Sequence, residues 1–211
     1  CMLNKRDIIE RMNCLGKERK PFLFCVDFEM DNGFVVENPF CQQDILFDLN
    51  SITNFSSQKK DSLSPSLKAY PKFFEEYDKQ FDVVRKGLLR GDSFLVNLTI
   101  KTKIDINISL EEIFQKANSK YKLLVIDKFV CFSPECFVKI EDNTISTFPM
   151  KGTIDASIDN AKEVILSDYK ETCEHNTIVD LMRNDLNIIG SNVRVERFRF
   201  VDDLKTSRGN I

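Results

Sequence analysis

Ile8, Ile9, Met12 and Leu15 share one side of a helical projection, so residues 4–16 read as a short amphipathic helix with Gly16 as its stop. A continuous apolar run at 22–28 predicts a buried strand, and residues 33–36 offer a hairpin partner for it. Residues 37–70 show no firm period, and 56–66 is a loop by its Ser, Lys and Pro content. Phe73, Tyr77, Phe81, Val84 and Leu88 then recur at helical spacing, with Pro71 just before and Gly91 just after. Residues 94–104 predict a strand. Ser109 followed by Glu112 is the signature of a capping box, opening a helix that runs to about Asn118.

Four short apolar runs follow, at 121–126, 129–132, 136–140 and 144–148, with a polar turn at 141–144. They predict successive strands. Residues 159–186 carry the longest helical pattern, with Val164, Ile165, Tyr169, Thr172, Ile178, Val179 and Met182 on its apolar side. Residues 193–201 alternate apolar and charged positions like a strand, and the tail from Lys205 is polar without a closing element. Helices and strands come in mixed order, so the fold class is α+β, or mixed α/β.

Composition narrows the field. The chain has 211 residues, 42% of them hydrophobic, enough for a sizeable core. Its net charge is −3, so no global basic field recruits nucleic acid. No apolar run nears the roughly 20 residues that cross a bilayer, and residues 1–7 lack a signal-peptide core. A cytoplasmic protein is expected, with no nucleic-acid and no membrane partner. Seven cysteines are scattered without a C-x-x-C pair, which predicts buried, reduced thiols rather than a disulfide frame or zinc site. One histidine, His175, rules out a multi-His metal centre within these residues.

Candidate chemistry concentrates at 133–185. Glu135 follows Pro134 at the join of two predicted strands, either aimed into a cleft or an ordinary turn carboxylate. Lys151 lies between Pro149 and Gly152, a rigid stop and a position where a ligand can approach the backbone. It is either a nucleophilic amine or a surface lysine. Glu171 and Glu174 share one helix face, where like charges are destabilising without a cation between them. Lys170 and Lys162 can offset that charge. Hard oxygen donors suit Mg²⁺ better than zinc. His175 is either beside such a metal or a helix-packing side chain, and Arg183 to Asp185 either cap the helix or touch a ligand.

In this order and spacing, the runs 91–99 (GDSFLVNLT), 133–137 (SPECF), 149–153 (PMKGT) and 174–185 (EHNTIVDLMRND) resemble the chorismate-utilising enzymes. The resemblance covers about residues 70–211. It implies a two-sheet sandwich, with 1–70 as an N-terminal strand and helix portion continuous with the chorismate-binding part at 71–211. The position of Lys151 is typically alanine in the branch that makes anthranilate. It is typically lysine in the branch that makes aminodeoxychorismate for para-aminobenzoate and folate. The resemblance therefore implies component I of an aminodeoxychorismate synthase, with anthranilate synthase component I or a catalytically incomplete fragment as alternatives.

Residue by residue, the resemblance implies that Lys151 attacks C2 of chorismate and that Glu135 is the general acid. It implies that Glu174, with Glu171 less directly, binds Mg²⁺, and that Gly152, Thr153 and His175 line the substrate. Ammonia is expected from a glutamine amidotransferase subunit or from solution. Family members carry further motifs past the position of Gly209, so the fold is expected to be incomplete at its C-terminus. The chain alone is expected not to turn over chorismate.

Overall fold

The computed structural model describes residues 2–56, 64–206 and 209–211. Strand β1 (Leu3–Asn4) runs into helix α1 (Lys5–Lys17), whose first turn is capped by Asn4 Oδ1 accepting the Asp7 N–H at 3.0 Å. Strands β2 (Phe22–Val26) and β3 (Asn32–Glu37) form the predicted antiparallel hairpin, and β1 adds to the far side of β3. Helix α1 lays Ile8 and Leu15 on Val35, with Leu3, Met12 and Phe22 around them. Gly33 is required in β3, because a Cβ there would stand 2.2 Å from the Cys25 carbonyl oxygen.

Three expectations fail here. The strand expected to be buried, β2, has no buried residue, and Phe24 is 45% exposed. Gly16 lies inside α1, and the helix closes at Glu18, where the Glu18 N–H reaches the Cys14 carbonyl and the Arg19 N–H the Gly16 carbonyl. The strand expected to Phe28 stops at Val26. The Asp27 carboxylate accepts the N–H groups of Asp31 and Asn32, which turns the chain and leaves Phe28 96% exposed.

A 3-10 turn at Pro39–Cys41 leads to β4 (Ile45–Leu49) and β5 (Ile52–Thr53), within the stretch that shows no period. Residues 57–63 of the expected loop lie outside the described residues. Next come β6 (Leu67–Tyr70), α2 (Phe74–Arg90), β7 (Lys103–Ile106), α3 (Leu110–Lys116), β8 (Tyr121–Val125) and β9 (Phe129–Ser133). The larger sheet has the order β5-β4-β8-β9, all antiparallel, while β6 pairs with β7 alone. Phe47 of β4, Phe114 of α3 and Leu124 of β8 are its fully buried side chains.

Helix α2 ends as expected on Gly91, at φ 82°, with the Gly91 and Asp92 N–H groups on the Leu88 and Gly87 carbonyls. Its apolar stripe is not buried. The capping box at Ser109 and Glu112 forms in full, although α3 gives way at Ala117 rather than Asn118. The strand expected at 94–104 is mostly absent. Residues 93–102 form neither helix nor strand, and Phe94 is 93% exposed.

Strands β10 (Lys139–Glu141) and β11 (Thr144–Ser146) make a hairpin across Asp142 and Asn143, both at positive φ, as a two-residue type I′ loop requires. Each is shorter than its apolar run. The long helical pattern is two helices, α4 (Ala161–Ser167) and α5 (Tyr169–Ile189). Asp168 ends the first and caps the second, its Oδ1 accepting the Glu171 N–H at 2.8 Å. Residues 193–201 form no strand despite their alternation. The tail does have an element of its own, a hairpin of β12 (Lys205–Thr206) with β13 (Gly209–Asn210).

The molecule is thus mixed α/β with antiparallel sheets. Among the described residues none after Val125 is buried. The described cysteines are free thiols, but Cys14, Cys41, Cys131 and Cys173 are exposed and Cys25 and Cys136 half-buried, against the expectation of burial. Among the described residues no helix is long and apolar enough to cross a membrane.

Candidate active site

Glu135 sits in a turn locked by its neighbours. Ser133 Oγ accepts the Glu135 N–H at 3.0 Å and donates to the Glu135 carbonyl at 3.1 Å. Ser119 Oγ donates to the Ser133 carbonyl at 3.2 Å. The Cys136 thiol donates to the Val138 carbonyl at 3.6 Å, and its closeness to the Tyr121 hydroxyl of β8 is the main reason that hydroxyl is pushed up to about 12. The exposed carboxylate that results accepts the Met150 N–H on Oε1 at 3.3 Å. The acid is therefore joined to the segment that carries Lys151.

That segment is held to α5 at two points. Thr147 Oγ1 donates to the Phe137 carbonyl at 3.1 Å and lies 3.9 Å from the Met182 sulfur. Gly152, at φ 73°, lies against Glu171, and a Cβ on it would stand 2.7 Å from Glu171 Oε2. Lys151 lies between the Met150 contact and the Gly152 contact, and is exposed. Thr153 follows, also exposed. Glu135, the Lys151 peptide and the first turn of α5 thus form one connected line, though they lie on three elements.

On α5, Lys170 Nζ lies 3.1 Å from Glu171 Oε1 and 3.2 Å from Glu174 Oε1. The two carboxylates, Glu171 foremost, hold the Lys170 ammonium above its usual range. His175 packs edge-on against Phe198, centroids 5.5 Å apart. Burial, then the charge of Arg199, pushes its imidazole below the usual histidine value. Arg199 Nη2 donates to the Ile165 carbonyl at 3.3 Å, fastening the 193–201 segment to α4. Arg183 pairs with Asp180 at 3.1 Å, within the helix. Lys162 pairs with Asp203 at 3.3 Å and not with the α5 carboxylates.

Glu171 and Glu174 share one cation, the Lys170 ammonium, and both present hard oxygen donors. Among the described residues no three His, Cys, Asp or Glu groups gather into a fuller metal site. Mg²⁺ commonly uses one or two carboxylates and completes its shell with water and substrate oxygens. The Met150 amide, the Gly152–Glu171 approach and the Phe198–Arg199 support are groups the sequence pattern did not single out. Only Gly152 had a local signal, a glycine beside the candidate lysine.

Residues 35–207 match the family described as chorismate binding enzyme. An uncharacterized PabA-like protein of Haemophilus influenzae is 45% identical over 205 residues, spanning 96% of this chain and 62% of that protein. An anthranilate synthase component 1 of Archaeoglobus fulgidus is 30% identical over 59% of this chain and 33% of its own length. An aminodeoxychorismate synthase component 1 of Salmonella typhimurium is 30% identical over 53% of this chain and 27% of its own length. No solved structure matches. The chain spans 62% of the length of the Haemophilus protein, and across the family match it covers the whole stretch from β3 to β12. The chain belongs to the chorismate binding enzyme family.

Proposed function

We propose that this chain carries the chorismate site of an aminodeoxychorismate synthase component I, within a two-sheet sandwich of the chorismate-utilising kind. The observation that carries the reading is the contact line from Glu135 through Met150 and Gly152 to Glu171, with Lys151 at its centre. An amine, an acid and a carboxylate pair in one neighbourhood fit nucleophilic substitution on an anionic ring.

In this reading the neutral Lys151 amine attacks C2 of chorismate. The conjugated double bonds shift as the C4–O bond breaks, and Glu135 donates its proton to the departing hydroxyl, which leaves as water. Ammonia then bonds to C4 and the Lys151 amine is released. The Met150 N–H holds the Glu135 carboxyl beside the segment that carries this lysine. Gly152 lets substrate and the Glu171 side chain approach the same backbone, and Thr153 and His175 flank the ring. Glu174 and Glu171 would hold Mg²⁺, which when bound neutralises and fixes the ring carboxylate. A glutamine amidotransferase subunit supplies the ammonia. The product serves para-aminobenzoate and folate synthesis in the cytoplasm.

Titration of chorismate into the chain should release heat only with Mg²⁺ present, and Glu174→Gln should abolish it. No Mg²⁺-dependent heat from the unaltered chain overturns the reading. The branch is tested by the product that the chain, extended to the length of its Haemophilus relative, forms from chorismate and ammonium. The Archaeoglobus relative keeps anthranilate formation as the second reading, and release of fluorescent anthranilate would establish it over aminodeoxychorismate.

A further inference from the structure

The two carboxylates at the start of α5 are not bare. Lys170 Nζ lies 3.1 Å from one and 3.2 Å from the other, in the position a cation bridging them would take. A divalent ion on the same oxygens would sit close to that ammonium, and like charges at such distances repel. We propose that Lys170 is the resident counter-ion of the Glu171–Glu174 pair, displaced by the divalent metal and then turned toward a carboxylate of the anionic substrate. The inference rests on the function proposed above.

The local structure allows such a move. The Lys170 side chain is 72% exposed on a flexible four-carbon stem, so its ammonium can leave without disturbing packing. The first turn of α5 does not depend on it. Asp168 caps that turn through the Glu171 N–H at 2.8 Å and accepts the Thr172 hydroxyl on its carbonyl at 2.6 Å. An ammonium released from the two glutamates stays within one side-chain length of them. It is then a charged donor for a carboxylate that the metal also holds. The order of events follows from charge: the metal takes the glutamates first, and the lysine becomes available to the substrate afterwards.

An ordinary neighbouring charge and a displaceable counter-ion differ in their effect on the substrate. Removing an ordinary charge can tighten the metal by electrostatics alone but leaves the affinity for chorismate at saturating Mg²⁺ unchanged. Removing a competing cation tightens metal binding and weakens the anion that the cation would go on to hold. Calorimetric titration of MgCl₂ into the 211-residue chain measures the first effect, and titration of chorismate at saturating Mg²⁺ measures the second. Lys170→Gln should bind Mg²⁺ several-fold more tightly and chorismate several-fold more weakly. Lys170→Arg, which keeps the charge, should stay near the parent on both. Circular dichroism checks the helix content, and Lys170→Met is a second charge-removing substitution for the same comparison. A parent chain that binds Mg²⁺, with a Lys170→Gln variant whose Mg²⁺ affinity is unchanged or weaker or whose chorismate affinity is unchanged, overturns the inference alone. If neither binds Mg²⁺, the inference and the proposed function fail together.

Discussion

Gly152 is the residue on which the site geometry turns. Its φ of 73° is one that residues with a Cβ adopt at a cost of about 1 kcal/mol. A methyl group there would also stand 2.7 Å from Glu171 Oε2, the far end of a flexible side chain. Glu171 would swing aside rather than break the fold. Gly152→Ala should therefore lower the thermal midpoint by about 2–4 °C, as a loss of that size does for a chain of this length. It should weaken Mg²⁺-dependent chorismate binding by far more than that loss of stability explains. Unchanged binding, measured by calorimetry, would separate Glu171 from the site. Gly33 shows the opposite balance. Its Cβ would meet backbone, the Cys25 carbonyl at 2.2 Å, so Gly33→Ala should pull β2 from β3 and cost more than about 2 kcal/mol in urea unfolding. A cost under about 0.5 kcal/mol would mean that the hairpin is free to shift.

At the scale of elements, local chemistry was legible and partnership was not. The capping box of α3, the Gly91 stop of α2 and the β2–β3 hairpin all rest on neighbours within a few residues, and all formed. Residues 94–104 and 193–201 have the alternation of strands, but alternation specifies a face and not a partner. Among the described residues only the end of the first is paired, with β6, and the second is held by Arg199 and Phe198 instead. The same limit applies to the site. Lys151, Glu135 and the α5 carboxylates could be named one by one from the sequence. The Met150 amide and the Glu171–Gly152 approach are tertiary contacts with no local signature.

Lys122 of β8 is another such tertiary device. Its ammonium is buried and donates to the Phe114 and Ala117 carbonyls at 3.0 and 3.2 Å, satisfying the open end of α3 between the rings of Phe55 and Phe114. Burial pushes its pKa below the usual lysine value, with Asp48 opposing the shift. The folded chain therefore gives up this proton at lower pH than the unfolded chain does. Between the folded value and 10.5 the unfolded state binds more protons, so this group makes stability rise with pH. The difference in urea midpoint between the parent and Lys122→Met should accordingly shift in favour of the parent as pH climbs from 8 toward 10. A pH-independent difference would mean that the proton is held equally in both states.

Across the whole molecule, core and chemistry occupy different parts of the chain. Buried side chains cluster in α1 with β3, and in β4, α3 and β8; among the described residues none lies beyond Val125. Every candidate catalytic and metal-binding residue lies after that point. Stability should follow burial. Phe114→Ala, at a fully buried position, should cost about 3–5 kcal/mol. Phe74→Ala, at an exposed position in the first turn of α2, should fall within about 0.5 kcal/mol of the parent. Local opening should divide the same way, since segments with few buried apolar contacts open well below the global unfolding energy. In native-state hydrogen exchange, the amides of β4, β8 and α3 should exchange only through global unfolding. Those of α4 and α5 should exchange through smaller openings, and under the proposed function Mg²⁺ with chorismate should suppress them by bridging the elements that carry Glu135, Lys151 and the α5 carboxylates. Protection in α5 equal to that in β8 without ligand would show that the site is built before the substrate arrives, and would contradict this division.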